Sequence, residues 1–390
     1  MPLGRRPGPV RGSWEKFTSL ELMRFPELEE LKNRRTLKWT RFDEDVLPLW
    51  VAESDFGTCP PLKEALADAV EREVFGYPPD TTGLPEAISG FYRRRYGYAL
   101  NPDYCFAIPD VVRGLKLAIE HFTKPGSPVI VPIPAYPPFI ELPKVTGRQA
   151  IYIDAYKFDL REIEKAFADG AGSILFCNPH NPMGTVFTEE YILELTDLAD
   201  KYGARVIVDE IHAPLVLDGT HVVAAGVSET AARVCVTVTA TSKAWNTAGL
   251  KCAQIFFSNE ADVKAWKNLS DITRDGVSIL GLIAAETCYA EGEEFLEKEL
   301  DVLRGNRDFA AAELEKMGVK VHFPAATYLM WLDFSDTAIS KSPSTKLRAE
   351  GRVMLNNGRA FGGFDSCARL NFACSRETLE EGLRRIASVL

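Results

Sequence analysis

Between about residues 106 and 258, short apolar runs alternate with helical ones. The apolar runs are rich in β-branched residues and indicate buried strands: PVIVPI, SILFCN, ARVIVDE, RVCVTVTA and CAQIFFS. Between the second and third of them, YILELTDLADKYG has a helical period and ends at Gly203, a residue suited to a helix terminus. Because strands that alternate with helices pair in parallel, this region predicts an α/β domain with a mostly parallel central sheet.

The chain beyond residue 260 has a different pattern. It is helical through Lys316, and three strand-like runs follow: VKVHFP, TYLMWLDF and ARLNFAC. Ser375 is a typical N-cap for the final helix, ETLEEGLRRIASVL. This grouping predicts a smaller α+β domain at the C-terminus.

We expect four segments. Residues 1–13 are basic and rich in Pro and Gly but lack the apolar core of a signal peptide, which favours a disordered leader or a cloning remnant. Residues 14–50 form an N-terminal segment that packs with the small domain and includes a short helix over Ser19–Asn33. The large domain covers 51–295, and the small domain covers 296–390.

The composition excludes several classes of function. A net charge of −10 over 390 residues argues against a nucleic-acid binder, which needs a basic surface. No apolar stretch approaches eighteen residues, so no membrane span is predicted. The eight cysteines are dispersed without a CxxC pair, which favours a reduced, cytoplasmic chain without a metal site.

Two motifs follow predicted strands at their carboxyl ends. CNPHNPMG (177–184) follows SILFCN and crowds two Asn-Pro pairs and a Gly into a shaped loop. Asp209 ends the strand of VIVDEIH, and His212 follows three residues later. Ligands bind at this edge of open α/β sheets. A structural turn and a structural histidine are the alternatives for these motifs.

The stretch TATSKAWNTAGLK (Thr239–Lys251) has two lysines eight residues apart and no carboxylate. The stretch is either a solvated loop, or Lys243 is a reactive amine and Lys251 binds an anion. Taken with the Asn loop and Asp209, the second interpretation suits pyridoxal phosphate. That cofactor needs a lysine to bind it, an acid at its ring nitrogen, a donor for its phenolic oxygen and a cationic cup for its phosphate.

The motif order NPHNPMG, VDEIH, SKAWNTAGLK and RLNFAC resembles the class I/II aminotransferase superfamily, which has the type I pyridoxal-phosphate fold. LPLWVAESDF, VFGY, IPAYPPF and SK-x-x-N-x-AGLK resemble its MalY/PatB branch of cystathionine β-lyases and cysteine-S-conjugate β-lyases. The resemblance runs from about residue 24 to the C-terminus.

The resemblance implies cofactor-binding roles at the ring. Lys243 is the lysine that forms the Schiff base and the catalytic residue. Asp209 pairs with the pyridine nitrogen and Asn181 with the phenolic oxygen. His212 occupies the place of a tyrosine in ordinary aminotransferases, and Tyr136 stacks on the ring.

The resemblance implies that the backbone N–H groups of Val111 and Val112, at a helix start, bind the phosphate. It also places Ser242 nearby and Lys251 as the counter-cation. Tyr77 reaches the phosphate from a second subunit, so a homodimer is expected. The phosphate loop differs from the branch pattern at one position, where Asp110 replaces the usual glycine.

For the substrate, the resemblance implies that Arg369 binds the carboxylate, with Asn181 and Ala52 beside it. A guanidinium matches a carboxylate with two parallel hydrogen bonds. A surface arginine on a half-buried strand is the alternative.

The expected activity is β-elimination of L-cystathionine or related cysteine S-conjugates to a thiol, pyruvate and ammonia. An aminotransferase that uses an L-amino acid and a 2-oxo acid shares the first steps and is the main alternative. A regulatory role through protein contacts is a third, which the presence of Lys243 and Asp209 disfavours.

Overall fold

The computed structural model describes residues 23–390. The leader expected over residues 1–13, and the start of the helix expected over Ser19–Asn33, lie outside the described residues. The described α-helices are α1 Leu28–Asn33, α2 Leu37–Thr40, α3 Pro60–Glu71, α4 Leu84–Tyr96, α5 Val111–Phe122, α6 Pro137–Val145, α7 Leu160–Ala168, α8 Glu189–Lys201, α9 Glu229–Val234, α10 Glu260–Lys267, α11 Asp271–Arg274, α12 Ile279–Glu291, α13 Glu293–Lys316, α14 Pro343–Glu350 and α15 Arg376–Ala387.

The described strands form three sheets. They are β1 Leu47–Pro48, β2 Cys105–Ile108, β3 Val129–Ile133, β4 Ala150–Asp154, β5 Ser173–Cys177, β6 Arg205–Asp209, β7 Cys235–Thr239, β8 Ala253–Phe256, β9 Lys320–His322, β10 Leu329–Asp333, β11 Val353–Met354, β12 Asn356–Asn357 and β13 Cys367–Asn371.

The central sheet has seven strands in the order β2-β8-β7-β6-β5-β3-β4. From β7 to β4 every neighbouring pair is parallel, and β8 pairs antiparallel with both β2 and β7. Strands β5 and β7 are buried along their whole length, because helices cover both faces of the sheet. The predicted α/β domain with a mostly parallel sheet is confirmed.

The small domain is built on the antiparallel sheet β12-β13-β10-β9, with α13 and α15 packed together beside it. Ser375 caps α15, since its side chain accepts a hydrogen bond from the Thr378 N–H. Leu379, Leu383 and Ile386 on one face of that helix are buried. The smaller α+β domain at the C-terminus is confirmed.

The N-terminal segment lies against the small domain. Strand β1 pairs in parallel with β11, and the Arg352 guanidinium donates to the Asp45 carboxylate over 2.7 Å. The helix expected over Ser19–Asn33 is wrong for residues 23–27, because α1 begins only at Leu28. Pro26 explains the late start, since a proline disfavours helical geometry in the residue before it.

None of the helices within residues 23–390 combines the length and apolarity needed to cross a bilayer.

Candidate active site

Three adjacent parallel strands, β5, β6 and β7, end at the same edge of the central sheet. The loop after β5 contains Asn181, Asp209 is the last residue of β6, and Lys243 lies in the turn after β7. The backbone N–H of Asn178 donates to the Asp209 carbonyl over 2.9 Å and holds the loop after β5 against the end of β6. Both Asn-Pro peptide bonds of the loop are cis. The sheet therefore brings together the three motifs that sequence analysis identified.

Lys243 faces the segment that follows β1. Its Nζ donates a hydrogen bond to the Ala52 carbonyl over 2.8 Å. Asn246 holds the same segment, donating to the Ser54 carbonyl over 3.1 Å. Burial and, secondly, the nearby positive charge of Arg369 lower the pKa of Lys243 to about 8. An amine with that pKa is in part neutral, and so nucleophilic and basic, near pH 8.

Asp209 is a buried carboxylate with little to stabilise its charge. Its Oδ1 accepts a hydrogen bond from the Ile211 N–H over 3.0 Å. Burial raises the pKa of Asp209 to about 7, although this hydrogen bond and the charge of Lys243 oppose the shift. His212 is also buried, and burial holds its pKa well below the ordinary value, so its imidazole is neutral. Within the described residues, His212 Nδ1 has no hydrogen-bond partner.

Arg369 reaches the same cleft from β13 of the small domain. Its Nη1 donates to Asn181 Oδ1 over 2.9 Å, and its Nη2 donates to the Trp50 carbonyl over 3.2 Å. The residue is only 2% exposed, and burial lowers the pKa of its guanidinium to about 10. The alternative of a surface arginine is wrong.

A second group of residues lies where α5 begins. Asp110 caps this helix by accepting the Arg113 N–H over 2.8 Å, and its other oxygen lies 3.1 Å from Lys251 Nζ. The stretch Thr239–Lys251 has no carboxylate of its own, but the fold supplies one from a distant loop. The backbone N–H groups of Val111 and Val112 have no acceptor among the described residues.

Tyr136 lies near both groups of residues, because the charges of Asp209 and of Asp110 both act on its phenol. Tyr136 stands at the start of α6. Burial raises the pKa of its phenol, the charge of Arg369 opposes this shift, and the charge of Asp209 adds to it. Ser242 directly precedes Lys243 and is partly buried. Tyr77 is 98% exposed, so the structure does not bring it into the cleft of its own chain.

Sequence reasoning missed the residues that hold the segment around Ala52. Lys38 Nζ forms a buried ion pair of 2.7 Å with Asp55 and donates to the Glu53 carbonyl over 3.1 Å. Asn371 Nδ2 donates to the Val51 carbonyl over 2.7 Å. No local signal in the sequence marks Asp55 as buried, since the polar residues Glu53 and Ser54 directly precede it.

The cleft suits pyridoxal phosphate on three observations. Asp209 offers a buried carboxylate oxygen that no donor from the described residues fills, as a protonated ring nitrogen requires. Because Arg369 engages Asn181 Oδ1, the amide Nδ2 is the group left to donate to a phenolic oxygen. The unpaired N–H groups of Val111 and Val112 at a helix start suit a phosphate.

This α/β fold, with the lysine, the aspartate and the arginine at one sheet edge, defines a pyridoxal-phosphate-dependent enzyme of the type I fold. Comparison with known proteins agrees: the aminotransferase class I and II family matches residues 44–386. The chain belongs to this family.

Three relatives are more specific. The chain is 82% identical to cystathionine β-lyase of Corynebacterium glutamicum, over 94% of this chain and 100% of that one. It is 33% identical to cystathionine β-lyase PatB of Bacillus subtilis, over 94% and 100%. A crystal structure of a candidate pyridoxal-phosphate-dependent β-cystathionase from Corynebacterium diphtheriae superposes with a TM-score of 0.93, at 55% identity, over 94% of this chain and 98% of that one.

Proposed function

We propose that the chain is a pyridoxal-phosphate-dependent carbon–sulfur β-lyase. It converts L-cystathionine or a related cysteine S-conjugate to a thiol, pyruvate and ammonia. The observation that carries this assignment is the 82% identity to a cystathionine β-lyase over that relative's full length. The cleft geometry alone suits several reactions of amino acids. The sequence identity to a cystathionine β-lyase favours β-elimination among them.

Arg369 would bind the substrate carboxylate. Its guanidinium now donates to an amide oxygen and a backbone carbonyl, both neutral acceptors. A carboxylate is a stronger acceptor and accepts two parallel hydrogen bonds from a guanidinium. Asn181 contacts Arg369 and Ala52 contacts Lys243, so both residues would border the substrate.

The cofactor, when bound, supplies an electron sink that stabilises negative charge at the substrate Cα. Asp209 would accept the ring N–H, Asn181 Nδ2 would donate to the phenolic oxygen, and Tyr136 would cover the ring face. His212, buried and neutral, would line the ring pocket without adding charge.

The phosphate would be bound at the start of α5. Val111 and Val112 would donate their backbone N–H groups, and Ser242 and Lys251 would contact it from the opposite loop. Asp110 caps this helix with one carboxylate oxygen and faces Lys251 with the other.

Lys243 would move the proton that starts elimination. Its lowered pKa, about 8, leaves part of the amine neutral, and a neutral Nζ can accept the proton from the substrate Cα. Loss of the thiolate from Cβ, which can take the proton from Nζ, then completes the elimination. Hydrolysis of the resulting 2-aminoacrylate by one water gives pyruvate and ammonia.

The aminotransferase alternative remains the second candidate, because the family match itself carries that name. Pyruvate release from L-cystathionine, with and without an added 2-oxo acid, separates the two activities. A lyase releases many equivalents of pyruvate per active site without the 2-oxo acid. An aminotransferase stops after one equivalent of amino acid and makes a new amino acid only when the 2-oxo acid is added.

We also propose a homodimer in the cytoplasm, in which Tyr77 completes the phosphate site of the partner subunit. The support is that Tyr77 is 98% exposed, and that Phe75 and Ile272 are 62% and 91% exposed. Sedimentation of the holoenzyme at several concentrations measures the assembly, and a monomer at all of them would contradict it.

The domain limits also stay a proposal. The limit between residues 295 and 296 falls in the first turn of α13, directly after the break between helices at Gly292. The 14–50 segment agrees with the pairing of β1 with β11, as far as the described residues extend.

A further inference from the structure

One face of the small sheet carries a transverse row of large side chains. Arg369 on β13 lies directly opposite Trp331 on β10, and Trp331 lies directly opposite His322 on β9. Residues directly opposite each other on neighbouring strands project from the same face. The proposed carboxylate-binding arginine is therefore one member of a row, and its immediate neighbour is a tryptophan.

The Phe361 ring packs against the Arg369 guanidinium and also against Trp331. The Arg369 guanidinium lies 4.9 Å from the centroid of the Phe361 ring, and the Phe361 and Trp331 rings lie 5.2 Å apart at 60°. Both rings are buried, together with Met183 from the loop that contains Asn181. Phe361 is also fixed through its carbonyl, which accepts the Ala135 N–H over 3.0 Å. The position of the guanidinium plane thus depends on where Phe361 and Trp331 lie.

Trp331 is in turn bound to the other domain by one polar contact. Its indole Nε1–H donates to the Tyr156 hydroxyl over 2.7 Å. Tyr156 belongs to the turn after β4 of the central sheet, whereas Trp331 belongs to the small sheet. The contact borders an open cleft of about 250 Å³ that Lys320, His322 and Asp333 also line. A hydrogen bond in this place joins the two domains close to Arg369 without entering the reaction space.

We propose that Tyr156 and Trp331 are positioning residues for the substrate carboxylate. Their hydrogen bond holds the indole against the central sheet, the indole holds the Phe361 ring, and the ring sets the guanidinium of Arg369. The inference rests on the proposed function, because it takes Arg369 as the group that binds the carboxylate.

The positioning role of Tyr156 and Trp331 predicts weaker substrate binding, with the reaction rate of the bound substrate unchanged. Losing the hydrogen bond frees the indole and lets Phe361 and Arg369 shift, so the carboxylate is held less well. The same loss leaves Lys243, which moves the proton, in place through its contact with Ala52. A uniform loss of substrate binding raises KM and leaves kcat unchanged.

The experiment compares the holoenzyme with Tyr156→Phe, Trp331→Phe and the double variant. Tyr156→Phe keeps the ring and removes only the hydroxyl of a residue that is 48% exposed, so it leaves the fold intact. Tyr152→Phe, on the neighbouring strand β4 and 49% exposed, is the matched control. The measurements are KM and kcat for L-cystathionine, and the Kd of 3-(methylthio)propionate by calorimetry. That probe has the carboxylate but no amine, so it reports carboxylate binding without reaction.

Each single variant is expected to raise KM and Kd about three- to tenfold, the range for one lost hydrogen bond, with kcat unchanged. The double variant is expected to match Trp331→Phe, since Tyr156 acts only through the indole that this variant removes. Tyr152→Phe is expected to behave as the unmodified enzyme.

Unchanged KM and Kd in Tyr156→Phe, or a fall of kcat at constant KM, would overturn the inference. Arg369→Lys distinguishes the two proposals. If it raises KM and Tyr156→Phe does not, the positioning role is wrong and the proposed function stands. If Arg369→Lys leaves KM unchanged, the carboxylate role of Arg369 is wrong, and the inference fails with it.

Discussion

Lys243 Nζ donates a hydrogen bond over 2.8 Å to the carbonyl of Ala52, a residue 191 positions earlier in the chain. The lysine comes from the central sheet, and the segment around Ala52 crosses from the N-terminal strand β1. Burial and, secondly, the charge of Arg369 lower the pKa of Lys243 to about 8, while the charge of Glu53, next to Ala52 in this segment, opposes the shift. The N-terminal segment therefore helps to set the chemistry of the lysine.

Replacing Arg369 by Lys should weaken substrate binding. A lysine keeps the charge but loses the paired N–H groups that match a carboxylate, so kcat/KM for L-cystathionine should fall about ten- to hundredfold, mostly through KM. Steady-state kinetics measure the change. Arg359→Lys, at an exposed ion pair, is the control and should have no effect. An Arg369→Lys enzyme with unchanged KM would contradict the carboxylate role.

Asp209 should make the stability of the cofactor-free protein depend on pH. Burial raises the pKa of this carboxyl from 3.8 to about 7, so the proton favours the folded state. The contribution of protonated Asp209 to the free energy of unfolding is fully present below the ordinary pKa of 3.8 and is lost as the pH rises through about 7. Urea unfolding of the cofactor-free protein and of Asp209→Asn, from about pH 4 to about pH 8, measures it.

In that series, the variant should gain stability relative to the unmodified protein as the pH rises. A constant difference between the two proteins over this range would show that Asp209 titrates normally, and that the site does not hold a carboxylate in need of a cationic partner.

The buried pair of Lys38 and Asp55 should matter for stability. Lys38→Met leaves Asp55 buried without its cation and should lower the free energy of unfolding by about 3–5 kcal/mol. Adding Asp55→Asn should recover much of that loss, because the uncompensated charge is removed. The exposed pair of Arg72 and Asp68 is the control, and Arg72→Met should cost less than about 1 kcal/mol. Equal losses for both pairs in urea unfolding would contradict this account.

The sequence predicted the five inner strands of the central sheet, because they are almost wholly buried and rich in β-branched residues. It missed the edge strands β2 and β4, which are partly exposed. The run RVCVTVTA became β7 at Cys235–Thr239, and SILFCN became β5 at Ser173–Cys177. The site was predictable in part for the same reason. Asp209 ends strand β6 and Lys243 follows the neighbouring parallel strand β7, and the carboxyl ends of the two strands share one edge.

Contacts between distant parts of the chain could not be predicted. The pairing of Lys251 with Asp110 spans 141 positions, and no local pattern marks either residue as the partner of the other. The same holds for Trp331 and Tyr156, which come from different sheets. The helix expected over Ser19–Asn33 is absent from residues 23–27, where Pro26 restricts the backbone of the residue before it.

The central claim is that Lys243 removes the proton that starts β-elimination. The most direct measurement is the release of pyruvate and homocysteine from L-cystathionine, with pyridoxal phosphate present and no 2-oxo acid, by the unmodified enzyme and by Lys243→Ala. Lys264→Ala, at an exposed lysine, is the control. Equimolar pyruvate and homocysteine over many turnovers, lost by at least about a thousandfold in Lys243→Ala alone, is the predicted result. Pyruvate release that survives in Lys243→Ala, or its absence from the unmodified enzyme, would contradict the claim.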